Sequence, residues 1–275
     1  MFPADYAIGI VDLAKASEER AFESLWVPEH THIPATRQTP FPQGGELPRE
    51  YSHTLDPFTA LAAASTATTS IKLGTGICLV IQRDPIVLAK EVASLDLLSQ
   101  GRLLFGVGAG WNHEEIANHG VDPKRRWRVF GERMRAMQAI WTQEEASFHG
   151  TYVNFDRIWS WPKPLQKPHP PILMGGDYGA AMQRVIEFGD EWMPHPDRGG
   201  ELRDRVDEFW SRCEAAGRPH LPVTIYGAPI EPKAIDEYQS AGVTRLVFRI
   251  PAAGADVVLP ELDRAAEVMR RVVAA

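Results

Sequence analysis

The chain has 275 residues, close to the ~250 that one α/β barrel takes, and its 44% hydrophobic and 24% charged residues exclude a disordered polymer. Lys and Arg total 29 against 36 Asp and Glu, a formal net charge of −7, which disfavours nucleic acid and anionic membrane as partners. No run approaches ~18 uninterrupted apolar residues, and Cys78 and Cys213 lie far apart in apolar surroundings, as buried thiols of a reducing, cytoplasmic compartment do.

In chain order, the first helix is expected over Val11–Phe22 and the first clear strand at Ser24–Val27, ending in Pro28-Glu29-His30. The proline-rich segment from His32 to Tyr51 is too long for a passive connector and reads as a lid or binding loop. Asp56-Pro57 opens a helix with an N-cap and a proline at its first position. Ile71–Leu79 reads as a strand containing Gly74 and Gly76, Asp84-Pro85 starts a helix that ends near Ser99–Gly101, and Arg102–Gly108 is the next strand. Phe130, Met134, Met137 and Trp141 recur at spacings of four, three and four, which puts them on one helical face. Leu202, Val206, Phe209 and Cys213 repeat that spacing, as do Leu262, Ala266, Met269 and Val273. Short strands are expected at Ile172–Met174, Glu191–Met193, Pro222–Tyr226 and Arg245–Phe248, with a small hairpin over Phe148–Phe155.

Strands separated by helices imply a parallel sheet with right-handed crossovers. Seven strands and eight helices fit a single (β/α)8 TIM barrel over residues 1–275 with one strand short of eight. Met1-Phe2-Pro3 reads as the tail of that strand, so the first strand is expected to be truncated at the N-terminus.

Barrel active sites form on the loops after the C-terminal strand ends. Glu29 and His30 occupy such a position, and His30 is the candidate acid/base because imidazole exchanges a proton near neutral pH. His30 and His32 also make an HxH pair, but a metallohydrolase needs further ligands and a carboxylate after the last strand. That strand runs through Leu246–Ile250 into Pro251, and no metal is expected. Gly106, Gly108 and Gly110, followed by Trp111, lack the spacing of a dinucleotide fingerprint; their bare amides could approach a ring edge or a phosphate, with Trp111 as a wall. Gly175-Gly176-Asp177-Tyr178-Gly179 opens a helix whose N-terminus suits a phosphate, Asp177 reading equally well as its cap. Lys124, Arg125, Arg126 and Arg128 read as a solvated helix start. Phe41, Trp159, Trp161 and Trp192 are candidates for an apolar substrate pocket, the Trp159-Ser160-Trp161 pair most of all, although barrel aromatics are more often core.

Several phrases resemble the luciferase-like monooxygenase superfamily: SLWVPEH at Ser24–His30, IKLGTGI at Ile71–Ile77, LAKEVASLDLLSQGRLLFGVGAGW at Leu88–Trp111 and PKPLQKPHPPILMGG at Pro162–Gly176. They resemble most the branch that uses the deazaflavin coenzyme F420. The resemblance implies a barrel, often a homodimer, holding F420 or FMN at the C-terminal mouth of the strands. It implies a ring-facing role for His30 and a non-proline cis peptide at Gly76–Ile77 beneath the ring. Glu29, Gly76, Ile77, Gly108, Gly110, Trp111, Gly175, Gly176, Asp177, Tyr178 and Gly179 then form the coenzyme-contacting set. Two positions depart from the pattern. Trp111 stands where sugar-phosphate dehydrogenases of the family carry a glutamate, which argues against a sugar phosphate substrate, and Asp177 is acidic beside a phosphate. The expected reaction is hydride transfer between F420 and a small organic molecule. FMN-dependent monooxygenation and a coenzyme carrier without turnover are the alternatives.

Overall fold

The computed structural model describes residues 1–273. In chain order the elements are α1 (Ile10–Glu19), β1 (Ser24–Val27), α2 (Glu50–His53), α3 (Pro57–Ala67), β2 (Lys72–Thr75), β3 (Cys78–Leu79), α4 (Pro85–Leu98), β4 (Leu103–Gly108), α5 (His113–Asn118) and α6 (Arg126–Thr142). There follow β5 (Ala146–His149), β6 (Asn154–Ile158), β7 (Ile172–Gly175), α7 (Gly179–Phe188), β8 (Glu191–Met193), α8 (Leu202–Ala215), β9 (Thr224–Ala228), α9 (Pro232–Ser240), β10 (Arg245–Phe248) and α10 (Ala255–Val273). The two Asp-Pro helix starts behave as their chemistry dictates. Asp56 accepts the Thr59 amide at 2.9 Å, and Asp84 accepts the amides of Ile86 and Val87, with proline next in both helices.

The architecture is of the (β/α)8-barrel type. All pairings are parallel in the order β1-β2-β4-β7-β8, with β3 continuing β2 alongside β4. A parallel bridge from Trp192 to Val223 carries the sheet from β8 to β9, which pairs with β10. Among the described residues no strand pairing joins β10 to β1, so the sheet is not closed by hydrogen bonds on that side. Arg245 of β10 reaches across to Glu23 at 3.1 Å, and the Met1 amino group donates to the Trp26 carbonyl at 3.1 Å. The expected Ile71–Leu79 strand is broken in two at the Gly76–Ile77 bond, which is cis. The first helix begins one residue earlier and ends three residues sooner than its apolar pattern reads, because Ala21 at φ 60° turns the chain into β1. β5 and β6 form the expected hairpin outside the barrel, tied to α6 by Glu132, which accepts the amides of Thr151, Tyr152 and Val153.

Apolar burial divides into two shells. The larger lies between sheet and helices and contains both cysteines as free, buried thiols. The smaller fills the barrel with one side chain each from β1, β4, β7, β8 and β10: Trp26, Leu104, Leu173, Met193 and Val247. At this level β2 contributes Gly74, because a Cβ there would stand 2.3 Å from the Trp26 indole. Glycine inside a strand here marks a large neighbour taking the space.

Candidate active site at the barrel mouth

The C-terminal strand ends gather the chemistry-bearing residues. His30 follows β1, and its Nδ1 lies 2.8 Å from Oε2 of Glu115 on α5, whose side chain is fully buried. The imidazole is walled by Tyr51, at 5.1 Å between ring centroids, and by Trp111, at 5.8 Å. Phe41 packs on both of these rings, so the expected lid supplies two sides of an aromatic cup. The lid is pinned to α5: Glu114 accepts from the amides of Gln38 and Thr39 and from the Thr39 hydroxyl at 2.6 Å. The Thr39 hydroxyl, with these amides, holds the Glu114 carboxyl down at about 2.

Between β2 and β3, Gly76 and Ile77 form the floor. The Ile77 side chain rests where a Cβ on Gly108 would stand, 2.1 Å from its nearest carbon, and would be in ordinary contact, at 3.5 Å, with a Cβ on Gly175. Ile77 alone is half-exposed among residues 73–79. Gly76 corrects the sequence reading. The ring that approaches it belongs to Tyr226 of β9, whose carbon would lie 2.6 Å from a Gly76 Cβ and whose hydroxyl donates to the Gly76 carbonyl at 2.6 Å. Burial pushes the Tyr226 phenol well above its ordinary range, so it is a donor at any working pH. The bare face of Gly76 is therefore filled by the protein itself.

Glu29 is corrected in a similar way. Its carboxylate is 1% exposed and turns into the wall, accepting the Leu79 amide at 2.6 Å and the Arg83 guanidinium at 2.6–2.7 Å. Arg83 also pairs with Asp56 and, at 3.0 Å, with Glu91. Burial works against its charge, but Glu29 together with its other partners, Cys78 and Asp56, offsets this and raises the guanidinium further. Glu29 thus ties β1 to β3 and to the start of α4, with no free oxygen for a ligand.

On the opposite rim, Gly175, Gly176, Asp177 and Tyr178 lead into α7, which begins at Gly179. Asp177 does not cap the helix. Tyr178 is the N-cap and offers no side-chain bond, while the Asp177 carboxylate accepts the His195 amide at 2.7 Å and faces the His195 ring. Burial opposes the charge on Asp177, but His195 and Arg198 overcome it and lower the carboxyl. Behind them Arg205 is 4% exposed, lies over the Trp192 ring at 5.5 Å, donates to the His195 carbonyl at 3.2 Å, and leaves its Nε buried without a partner. A buried guanidinium with so few acceptors needs an anion nearby, and the Asp177 carboxylate supplies part of that field. Gly110 at φ 72° swings the chain from β4 toward Trp111 and the Asn112 cap of α5.

The aromatic expectations divide. Phe41 joins the cup, whereas Trp192 is fully buried core, its indole bonded to the Gly176 carbonyl at 2.8 Å. Trp161 lies at the other end of the barrel. Its neighbour Lys163 caps the last carbonyls of α6, and Gln166 donates to the carbonyl of Leu103, the first residue of β4. Trp161 lines a groove of about 500 Å³ there with Trp141 and Lys167, and is no part of the mouth. Among the described residues no cluster of three potential metal ligands occurs.

A sequence model described as luciferase-like monooxygenase matches residues 5–242. An uncharacterised protein of Mycobacterium tuberculosis is 39% identical over 275 residues, covering 97% of this chain and 95% of that one. Among solved structures, the monooxygenase RslO1 of Streptomyces bottropensis superposes with a TM-score of 0.80 at 20% identity, covering 96% of this chain and 92% of its own. An F420-dependent secondary alcohol dehydrogenase, solved with an F420-acetone adduct, superposes with a TM-score of 0.77 at 18% identity, covering 95% and 94%.

Proposed function

The chain belongs to the luciferase-like monooxygenase family of oxidoreductases, and on that footing we propose that it uses coenzyme F420 to exchange a hydride with a small organic substrate. The observation that carries this reading is the arrangement around Ile77: a half-exposed apolar floor, a histidine in an aromatic cup on one side and an under-paired arginine on the other. The residues fit a flat, phosphate-bearing coenzyme. Ile77 would support the ring, with Gly108 making room for the Ile77 side chain. Trp111 would bound the ring edge. The N-terminus of α7 from Tyr178 and Gly179, with Arg198 and Arg205, would hold the phosphate.

Bound F420 supplies a carbon, C5, that accepts or releases hydride; the protein supplies position, proton handling and exclusion of water. His30 takes the proton from the reacting oxygen or returns it. Phe41, Tyr51 and Trp111 make the substrate side apolar, which suits alcohols, carbonyls or activated alkenes without a charged group. Resemblance to the deazaflavin branch, together with the fold shared with an F420-dependent dehydrogenase, favours F420 over FMN. Tryptophan fluorescence on titration with each coenzyme tests the choice, and preferential binding of F420 is expected.

The homodimer belongs to the same proposal. Val87, Leu97 and Leu98 on α4 are exposed beside Trp159, Trp161 and Leu165, and Lys90 of α4 reaches the Trp161 carbonyl, so the two apolar groups adjoin. An exposed apolar surface of this extent is a partner surface, and we assign it to a second copy of the chain. Light scattering should give twice the chain mass, falling to one chain for Val87→Glu with Leu98→Glu; an unchanged mass in the variant would remove the surface from consideration.

A further inference from the structure

The proposed chemistry needs His30 to present one nitrogen in a defined protonation state, and an imidazole free in a loop would not do so. Both neutral tautomers are open to it, and the hydrogen bond made by one nitrogen decides the role of the other. In this chain Nδ1 faces Oε2 of Glu115 at 2.8 Å. Nε2 has no hydrogen-bond partner among the described residues and is not fully enclosed, so it is open to a ligand.

Glu115 is built for this contact. Its side chain is 0% exposed on the first turn of α5. Its backbone amide is taken by the Asn112 side chain, and its second oxygen, Oε1, is buried without a partner. The carboxylate therefore has one hydrogen-bond donor, the His30 ring. A structural carboxylate in this fold looks different: Glu29 accepts from one amide and an arginine, and Glu18 accepts three amides and a hydroxyl. Burying an acid that makes one bond stabilises little by itself, so its position is explained by what it does to His30.

We propose that Glu115 is a positioning residue that fixes His30 as the Nδ1–H tautomer and aims an unprotonated Nε2 at the substrate. The proposal rests on His30 being the proton-handling group of the reading above. An ionised carboxylate only accepts, so Nδ1 carries the hydrogen and Nε2 offers its lone pair. The substrate group against Nε2 must then be a donor, a hydroxyl rather than a carbonyl, when the coenzyme is oxidised. The atoms balance: the carbon–hydrogen bond gives its hydride to the oxidised deazaflavin, the hydroxyl proton passes to Nε2, and a carbonyl forms. Glu115 then lies against the imidazolium it helps to create. Phe41, Tyr51 and Trp111 bring no charged acceptor to that side of the ring, and Arg37, whose guanidinium lies 5.6 Å from the Trp111 ring, can only donate.

The tautomer is readable without coenzyme or substrate. Protein labelled with [15N]histidine is examined by long-range nitrogen–proton correlation at about pH 8, above the ordinary histidine range. The His30 signals are assigned by their loss in His30→Gln. A pyrrole-type Nδ1 with a pyridine-type Nε2 is expected in the wild type. The same pattern is expected in Glu115→Gln, whose amide oxygen can still accept from Nδ1. In Glu115→Leu a mixture of tautomers is expected. An Nε2–H tautomer or an imidazolium in the wild type overturns the proposal, as does a tautomer that Glu115→Leu leaves unmoved. Because the readout uses the apo protein, failure of F420 to bind would sink the functional reading and leave this result standing on its own.

Discussion

His30→Gln is expected to lower hydride exchange between F420 and an alcohol or carbonyl substrate by about 10²–10⁴-fold, the range supplied by one positioned acid/base group. The substitution keeps a polar side chain of similar reach but removes a group that can take up a proton in the neutral range. His30 sits on the substrate side of the cup, against Tyr51 and Trp111, while the phosphate and floor contacts lie on other strands. Coenzyme affinity should therefore be retained, and the loss should fall on kcat rather than on coenzyme binding. Anaerobic steady-state assays beside a fluorescence titration separate the two quantities. A variant that keeps its turnover would remove His30 from the chemistry, and one that loses coenzyme affinity instead would make it a binding residue.

Arg83→Leu carries the largest expected effect on stability. The guanidinium is 13% exposed and pairs with Glu29, Asp56 and Glu91, and Glu29 is 1% exposed. Removing the cation leaves the Glu29 charge buried with only the Leu79 amide to compensate it. Breaking one side of a buried pair costs about 3–5 kcal/mol, which lowers the melting temperature by roughly 6–20 °C for a chain of this size. Replacing both members, Glu29→Leu with Arg83→Leu, should recover part of the loss, since the cost lies in the uncompensated charge. Thermal and urea unfolding measure both. Should the double variant be no more stable than Arg83→Leu, the ion pair would not be the tie between β1, β3 and α4 that its geometry describes.

The elements that could be read from the sequence are those whose signals are local. The Asp-Pro starts of α3 and α4 carry their own cap and fixed φ, and the apolar periods of α6, α8 and α10 follow from which face meets the sheet. Ile71–Leu79 was legible as a strand, and its break was legible by family resemblance at Gly76–Ile77. The mouth could be located because barrel loops at the C-terminal strand ends converge whatever their length.

What stayed hidden depends on distant partners. Glu115 sits three residues after Asn112, a spacing that a helix start explains by capping alone, so nothing local marks it as the partner of a residue 85 positions earlier. Tyr226 reaches Gly76 across 150 positions, and an open glycine looks the same in sequence whether a ligand or a tyrosine fills the space. Glu29 adjoins His30 in the chain, but alternation along an extended segment turns the two side chains to opposite sides: one to Arg83 in the wall, the other to the cup. Trp161 misled for a topological reason. The segment from β6 to β7 must return to the N-terminal strand ends before β7 can run parallel to β4, which carries it away from the mouth.

The most direct test of the central claim is titration of the purified protein with F420 and, separately, with FMN, following quenching of its eight tryptophans. The account predicts F420 binding at micromolar dissociation constant or tighter, about 8 kcal/mol or more of binding free energy, with FMN clearly weaker. Tighter binding of FMN would contradict hydride transfer through a deazaflavin and move the assignment to flavin monooxygenation, and binding of neither would contradict a coenzyme site at this mouth.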